Sequence, residues 1–229
     1  MIECAVRWSA PLPAEPRFLK LLDRLEQGRY DNYRQDIDKR RFLTGRVLAK
    51  TVTAERLGLA VEDVGFDATC DDCGKPHGRP RVPGAPLMLS ISHSGDLIGV
   101  AATAGTPVGL DVETATRRAD DSLIEYALSP AEQAAVSGLL AEQRTTAFFT
   151  YWTRKEAVMK ATGKGLKIPL QSITFSGYDE EARLVSSGDA ALDPARTRLV
   201  DLKAAEGYRA AVALLTSDEI AVSEDFAPL

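Results

Sequence analysis

Residues 149–165 read Phe-Thr-Tyr-Trp-Thr-Arg-Lys-Glu-Ala-Val-Met-Lys-Ala-Thr-Gly-Lys-Gly. Apolar side chains recur at helical spacing in this stretch, and Trp152 and Met159 fall on one stripe that should face a core. Glu156 lies on the same stripe, between those two residues. Burying an ionised carboxylate without a partner costs at least several kcal/mol, so this position requires a cation, a metal ion or a proton.

Two interpretations of Glu156 are open at this point. Lys160 follows one helical turn later, and a half-exposed Glu156–Lys160 ion pair would be worth about a few tenths of a kcal/mol. Alternatively, Glu156 faces a binding site whose partner comes from another part of the chain. The helix alone favours the ion pair, and the rest of the sequence favours the site.

The composition is that of a soluble globular protein. The chain has 229 residues, of which 45% are hydrophobic and 27% charged, and it can bury a substantial core. A net charge of −5 argues against a nucleic-acid-binding protein. No apolar run is long enough to span a membrane, and charged residues interrupt the first apolar segment, so we expect a cytoplasmic protein without a membrane partner.

The cysteines indicate a reducing compartment. Three cysteines form an odd set, which argues against a disulfide framework. Cys70, Cys73 and His77 have the spacing of part of a structural zinc site, but such a site needs four ligands. A polar loop with two reduced thiols is the alternative, and the sequence leaves the two open.

The order of predicted elements indicates an α+β protein with two lobes. Each half holds a strand, then helices, then more strands, so we expect an N-terminal lobe over residues 1–105 and a C-terminal lobe over residues 106–229. Strands are predicted at residues 2–8, 87–92, 97–103, 107–113, 172–175, 183–185, 199–202 and 209–214. Helices are predicted at residues 15–27, 30–58, 130–140 and 144–162, and the acidic last dozen residues should be peripheral.

Two carboxylates share one face of the strand at residues 107–113. Asp111 and Glu113 lie at positions i and i+2, about 6.5 to 7 Å apart at the backbone, and only Gly109 precedes them on that face. This could be the wet face of an edge strand. Together with Glu156, however, the pair suggests an oxygen-ligand site for Mg²⁺, completed by water and a substrate phosphate.

Basic residues indicate where a phosphate could bind. A predicted helix carries a cationic cluster in an otherwise acidic protein, made up of Lys39, Arg40, Arg41, Arg46 and Lys50. Such a cluster is usually a solvated face, but it can also bind an anionic small molecule. His93 lies at the turn after a strand, where it can donate a hydrogen bond to a phosphate.

Three ordered motifs identify a family. They are Ser90-Ile-Ser-His-Ser-Gly95, Gly109-Leu-Asp-Val-Glu113, and Trp152-Thr-Arg-Lys-Glu-Ala-Val-Met-Lys160 followed by Gly163-Lys-Gly165. In this order and at these separations they resemble the Sfp-type 4′-phosphopantetheinyl transferases. The resemblance covers roughly residues 28–175, and Ser90 departs from it, because the family commonly has Asn at that position.

The resemblance implies a fold and a reaction. It implies two similar α+β lobes in a pseudo-twofold arrangement, with the active site in the cleft between them and a monomer sufficient for activity. It also implies Mg²⁺-dependent transfer, with Mn²⁺ as a substitute, of the 4′-phosphopantetheine moiety of coenzyme A to a serine of an acyl- or peptidyl-carrier protein. Adenosine 3′,5′-bisphosphate would be released, and the sequence leaves the preferred class of carrier open.

The resemblance also implies roles for ten residues. Asp111, Glu113 and Glu156 look like the metal ligands, and Glu156 or a metal-bound water would take the proton of the attacking serine. Lys155 and Lys160 would contact the pyrophosphate. The remaining coenzyme A contacts would come from Arg29, Arg41, Arg79, Ser92 and His93.

Two other function classes compete with this interpretation. A non-catalytic coenzyme A or nucleotide-binding module would use the same carboxylates structurally, and a metal-dependent phosphoesterase would hydrolyse coenzyme A. Glu156 distinguishes the binding module from an enzyme, because a protein that only binds coenzyme A does not need an inward-facing base. The second would release 3′,5′-ADP from coenzyme A without a carrier protein.

Overall fold

A computed structural model describes residues 1–70, 73–75, 78–116 and 118–226, without the side chain of Leu166. The α-helices are α1 (Pro16–Leu19), α2 (Arg24–Asn32), α3 (Asp36–Leu57), α4 (Asp121–Ala127), α5 (Pro130–Ser137) and α6 (Ala141–Thr162). The strands are β1 (Ile2–Ser9), β2 (Leu87–Ser94), β3 (Leu97–Ala104), β4 (Val108–Thr114), β5 (Ile173–Phe175), β6 (Leu184–Ser187), β7 (Arg198–Leu202), β8 (Tyr208–Leu214) and β9 (Ile220–Phe226).

The two halves repeat one topology. In the N-terminal half, β1, α3, β2 and β3 follow one another, and the strands lie in the order β2-β3-β1. In the C-terminal half, β4, α6, β7 and β8 follow one another, and the strands lie in the order β7-β8-β4. All four strand pairs within these units are antiparallel. The expected α+β protein with two similar lobes is therefore confirmed.

The last strand belongs to the first sheet. β9 pairs in parallel with β1, from Ile2 opposite Ile220 to Trp8 opposite Phe226. The carboxylate of Glu224 accepts a hydrogen bond from the Trp8 indole at 3.0 Å. No strand was predicted there, although β9 covers the edge of β1 that would otherwise leave backbone groups unpaired. β9 lies at the edge of the sheet and its residues are half-buried or exposed, which agrees with a peripheral position.

Caps explain where the helices begin and end. The predicted capping box before α5 is present, with the Ser129 and Glu132 side chains each bonding the backbone of the other. α6 ends at Gly163, whose φ of 74° suits glycine. Three helices lie in residues 15–58, where two were predicted. The additional helix start is α2, which begins at a second capping box formed by Asp23 and Glu26. Helix α4 was not predicted from the sequence.

Helix α6 lies against β4 with backbone in direct contact. A Cβ atom on Gly109 would lie 2.0 Å from the carbonyl oxygen of Ala157 and 2.5 Å from the backbone nitrogen of Ala161. No side chain fits there, so Gly109 permits the close approach of strand and helix. The neighbours of those two alanines, Glu156 and Lys160, are thereby held beside the carboxylates of β4.

A row of serines joins β2 to β4 across the two sheets. Three serine hydroxyl oxygens of β2 accept hydrogen bonds from alternate backbone N–H groups of β4, and we call this row the serine ladder. Its bonds run from the N–H of Leu110 to Ser90 at 2.9 Å, of Val112 to Ser92 at 3.3 Å and of Thr114 to Ser94 at 3.2 Å. The ladder fixes β4 in register beside β2.

In the part of the chain that the structure describes, the helices lack the combination of length and apolar character that a membrane span requires.

Candidate active site

A cavity of about 530 Å³ opens between the two halves. Its floor includes Leu89 and Ile91 of β2 and Met159 of α6. Its walls are cationic, with Arg29, Arg41, Arg46 and Arg79 from the N-terminal half and Lys160 and Lys164 from the C-terminal half. A cavity with this lining suits a ligand that carries several phosphate groups.

Arg41 is held at the cavity wall by two contacts. Its Nε donates a hydrogen bond to the carbonyl oxygen of Gly95 at 2.8 Å, and its Nη1 donates to Asp38 Oδ1 at 3.0 Å. The first contact ties α3 to the turn between β2 and β3. The predicted anion-binding residue is therefore pre-oriented, which lowers the entropy cost of binding a phosphate.

His93 lines the cavity beside Arg41 and Lys160. Desolvation, followed by the positive charges of Arg41 and Lys160, lowers the pKa of His93 below its ordinary value. The imidazole is therefore neutral near pH 7. A phosphate placed in the cavity would offset those charges and favour its protonation.

Phe42 and Arg46 are site residues that the assignment of roles from sequence omitted. The Phe42 ring carries two guanidinium groups, with Cζ of Arg29 5.1 Å and Cζ of Arg46 5.4 Å from its centroid. Arg46 is 7% exposed and lies 3.8 Å from Glu26, which also pairs with Lys50 at 3.0 Å. Arg46 belonged to the cationic cluster identified in the sequence. Its burial depends on Glu26 of α2, and α2 was not predicted as a separate helix.

Arg79 joins the two halves at the cavity. Its Nη2 donates hydrogen bonds to the carbonyl oxygens of Lys160 and, at 3.0 Å, of Ala161. These carbonyls lie in the last turn of α6, where a cation is favoured by the helix dipole. Arg79 therefore lines the cavity and also fixes the end of the helix that carries Glu156; its contact with coenzyme A stays a prediction.

The carboxylates of β4 lie beside Lys160. Asp111 is 4% exposed, and its Oδ1 accepts from Lys160 Nζ at 2.7 Å and from Ser92 Oγ at 2.9 Å. Its Oδ2 is buried and has no hydrogen-bond partner among the described residues. Glu113 Oε2 accepts from Ser94 Oγ at 2.8 Å.

Glu156 completes this group of carboxylates. Burial and then the charges of Asp111 and Glu113, against the opposite effect of Lys160, raise the pKa of Glu156. Glu156 lies with Trp152 and Lys160 on a half-buried line of α6 rather than on its fully buried stripe. Since Lys160 forms its ion pair with Asp111, the interpretation of Glu156 as half of a surface ion pair is wrong.

The carboxylate group fits a hard divalent cation. Among the described residues, no three Asp, Glu, His or Cys side chains lie close enough together to bind one metal ion without moving. However, the donor set is all oxygen, and Asp111 Oδ2 is buried without a hydrogen-bond partner among the described residues. Burial, and then the like charges of Asp111 and Glu113, raise the pKa of Glu156. Such a site gains from a cation with a preference for carboxylate oxygen, as Mg²⁺ and Mn²⁺ have.

Lys155 lies away from the cavity, contrary to its predicted contact with a pyrophosphate. Its side chain is 0% exposed and its Nζ lies 2.8 Å from Glu132, with hydrogen bonds to the carbonyl oxygens of Leu170 and Ile173. Desolvation lowers the pKa of Lys155, and Glu132 opposes that shift. Since consecutive helical residues point about 100° apart, Lys155 faces the core when Glu156 faces the cleft.

Ser92 also differs from its prediction. Its hydroxyl contacts Asp111, Lys160 and the backbone of Val112, and the residue is 6% exposed. Its hydroxyl is therefore committed to the carboxylate group, and Ser92 does not line the cavity.

The predicted zinc ligands are only partly visible. Cys70 lines the cavity and Cys73 is exposed. His77 lies outside the described residues, so the zinc hypothesis stays a prediction.

Comparisons with known proteins agree with this geometry. A family profile described as the 4′-phosphopantetheinyl transferase superfamily matches residues 107–213. A second profile, described as 4′-phosphopantetheinyl transferase, N-terminal, matches residues 7–105. The boundary between the two matches falls beside the predicted seam.

Individual relatives and one solved structure also match the chain. The chain is 34% identical to the 4′-phosphopantetheinyl transferase psf-1 of Bacillus pumilus over 163 residues, which cover 71% of this chain and 64% of that protein. It is 30% identical to the protein slr0495 of Synechocystis sp. over 229 residues, which cover 96% of this chain and 91% of that protein. A solved holo-[acyl-carrier-protein] synthase of Thermotoga maritima aligns with 49% of this chain and 64% of its own, at 19% identity and a TM-score of 0.38.

The matches therefore extend over both halves of the chain, including the strand and the helix that hold the three carboxylates. The aligned segment spans less than two thirds of the Bacillus pumilus relative and nearly the whole length of the Synechocystis relative. On this evidence the chain belongs to the 4′-phosphopantetheinyl transferase superfamily.

Proposed function

We propose that this chain transfers the 4′-phosphopantetheine moiety of coenzyme A to a serine of an acyl- or peptidyl-carrier protein and releases adenosine 3′,5′-bisphosphate. The observation that carries the proposal is the juxtaposition of two charged regions in one cleft. Cations line the cavity, and beyond Lys160 lie the three carboxylates. A bisphosphorylated nucleotide bound to the cations would present its pyrophosphate to the carboxylates and their metal ion.

The cavity supports specific roles for its cations. Arg41 and His93 would bind the 3′-phosphate, with Arg29 and Arg79 as further contacts on the same wall. Arg46 supports Arg29 through the shared Phe42 ring. Lys160 reaches Asp111 from the cavity and is placed to offset negative charge on the pyrophosphate.

The metal ligands in this proposal are Asp111, Glu113 and Glu156, with Mg²⁺ or Mn²⁺ as the cation. A cation bound there would neutralise part of the negative charge of the pyrophosphate. Lys155 and Ser92 have no contact with coenzyme A in this scheme, because the structure uses both side chains elsewhere.

The reaction needs a proton acceptor, and Glu156 is suited to that role. The serine oxygen of the carrier forms a bond to the phosphorus that bears pantetheine, while the bond from that phosphorus to the bridging oxygen breaks. The serine proton passes to a Glu156 carboxylate oxygen, and the electron pair of the broken bond leaves on adenosine 3′,5′-bisphosphate. A raised pKa makes Glu156 a better base than an ordinary carboxylate at neutral pH.

Mass spectrometry of carrier proteins tests the proposal. The protein is incubated with coenzyme A, Mg²⁺ and a panel of apo carriers of fatty-acid, polyketide, peptide and siderophore origin. We expect at least one carrier to gain one phosphopantetheine group per serine, with Glu156→Gln as the inactive control. Absence of the adduct on every carrier, with coenzyme A still bound, would overturn the proposal.

The same incubation without a carrier separates the transferase from a phosphoesterase. A phosphoesterase would release adenosine 3′,5′-bisphosphate at the same rate with or without a carrier, and we expect negligible release. A monomer is part of this proposal, because both lobes of the site come from one chain. The proposal also retains the cytoplasmic location expected from the sequence.

A further inference from the structure

We propose that Ser92 and Ser94 are positioning residues that hold Asp111 and Glu113 in the side-chain conformations that bind the divalent cation. This inference rests on the proposed function, because it concerns the metal site of that reaction. The serine ladder supplies the observation. All three serines accept an N–H of β4, but two of them also donate to a carboxylate of the same strand.

A hydroxyl group can make both contacts at once through a single oxygen atom. It has one O–H donor and two acceptor lone pairs, so one oxygen can accept from a backbone N–H while it donates to a carboxylate. Ser94 Oγ accepts from Thr114 at 3.2 Å and donates to Glu113 Oε2 at 2.8 Å. Ser92 Oγ accepts from Val112 at 3.3 Å and donates to Asp111 Oδ1 at 2.9 Å.

The direction of these bonds suits a metal site. Ser92 donates its hydrogen bond to Oδ1 of Asp111. This leaves the other oxygen, Oδ2, available to a cation, and Oδ2 is buried without a hydrogen-bond partner among the described residues. Ligand carboxylates are commonly hydrogen-bonded in this way, and loss of such a supporting partner typically weakens metal affinity about 10- to 100-fold. The ladder therefore uses the contact between the lobes to orient the ligands.

Ser90 provides a matched control within the same ladder. Its hydroxyl accepts from the Leu110 N–H at 2.9 Å, in the same way as the other two. Leu110, which donates this bond, is apolar, and among the described residues the Ser90 hydroxyl does not donate to a carboxylate. A purely structural ladder would make the three serines equivalent, whereas a positioning role separates Ser90 from Ser92 and Ser94.

Titration of Mn²⁺ followed by electron paramagnetic resonance tests the inference. Free Mn²⁺ is measured as the ion is added to the full chain with saturating coenzyme A. We expect Ser94→Ala and Ser92→Ala to weaken Mn²⁺ binding roughly 10-fold or more. Ser90→Ala should keep wild-type Mn²⁺ affinity, and Ser94→Thr, which retains the hydroxyl, should recover most of the lost affinity.

The outcomes distinguish this inference from the proposed function. If all three alanine variants bind Mn²⁺ as tightly as the wild type, or all three weaken it equally, the positioning role is overturned while carrier modification by the wild type still supports the transferase. If the wild type modifies carriers but binds no Mn²⁺ with coenzyme A, the metal assignment itself fails. Urea denaturation of each variant shows which ones are folded. A folded variant at either Ser92 or Ser94 is enough for the comparison with Ser90→Ala.

Discussion

Helices α3 and α6 occupy equivalent places in the two halves, and each is 22 residues long, but they approach their sheets differently. α3 meets its sheet through a glycine of the helix, and a Cβ on Gly45 would lie 3.2 Å from a methyl carbon of Ile91. α6 meets its sheet through a glycine of the strand, where a Cβ on Gly109 would lie 2.0 Å from helix backbone.

The difference separates two functions on one scaffold. α3 leaves room for a cavity and lines it with long cationic side chains. α6 is drawn against β4, so that short carboxylate side chains can interact across the contact. One repeated β-α-β-β topology therefore carries a cationic cavity wall in one half and a group of carboxylates in the other.

The largest effect should come from the buried ion pair beneath α6. Replacing Lys155 by Met leaves the carboxylate of Glu132, which is 1% exposed, without its cation. We expect a loss of about 3–5 kcal/mol in the free energy of unfolding, as for other broken buried pairs. Urea denaturation measures it.

The double variant Lys155→Met/Glu132→Gln is the control for this effect. It should recover only part of the loss. Gln keeps one acceptor oxygen, whereas the backbone N–H groups of Ser129 and Phe175 donate to different carboxylate oxygens of Glu132. A small effect of Lys155→Met on stability with a large effect on transfer would show that Lys155 acts on the substrate after all.

The two glycine contacts should differ in stability. Gly109→Ala forces a side chain into helix backbone, and we expect a loss of about 3 kcal/mol, at the upper end for overpacking. Gly45→Ala meets only a side-chain methyl and gains about 1 kcal/mol of helix propensity, so its net effect should stay within about 1 kcal/mol. Equal losses in the two variants, measured by urea denaturation, would show that the halves do not differ as described.

Glu156→Gln should remove activity while it preserves the fold. We expect transfer to fall at least 100-fold, or about 2.7 kcal/mol in the activation barrier, because a positioned base contributes that much. Carrier modification measures the rate. The corresponding change on α3, Arg41→Gln, should instead raise the KM for coenzyme A.

In a buffer that chelates divalent cations, the variant Glu156→Gln should be more stable than the wild type at pH 7. A carboxyl whose pKa is raised on folding opposes folding at every pH above its folded pKa. The penalty disappears as the pH falls through the folded pKa toward the unfolded one. The stability difference between Glu156→Gln and wild type should therefore vanish in acid, and a difference that grows in acid would contradict the raised pKa.

The smallest effect concerns His93, where residues of α3 and α6 meet. Because Arg41 and Lys160 help to lower its pKa, a bound phosphate should raise that pKa and take up a proton. Coenzyme A affinity should then rise as the pH falls from 8 to 6, and the size of the rise measures how far binding raises the pKa of His93, at tenfold for each pKa unit. Calorimetry in buffers of different ionisation enthalpy measures the uptake, and His93→Asn should abolish it.

Local patterns were enough to predict most of the fold. The capping box at Ser129 and the glycine at position 163 fix the ends of α5 and α6, and these signals depend on neighbours within one turn. The alternation along residues 107–113 predicts β4 and the shared face of Asp111 and Glu113. Strand β9 was missed because its pairing partner, β1, lies at the other end of the sequence.

The site was predictable in its residue types more than in its contacts. Periodicity placed Glu156 on an inward-facing line, and the structure brings it near Asp111 and Glu113. Lys155 was misassigned because its partner Glu132 belongs to another helix, and the pattern of a single helix cannot show that contact. Ser92 was misassigned for the same reason, because its committed contacts come from β4 and α6.

The pairing of β9 with β1 has a consequence for protein synthesis. Seven residue pairs, from Ile2 with Ile220 to Trp8 with Phe226, join segments at opposite ends of the chain. While the ribosome is still adding β9, β1 keeps one bare edge, so the first lobe to be made is the last to be completed. We expect nascent chains that stop before residue 220 to need chaperone protection, although they already contain every residue of the proposed site.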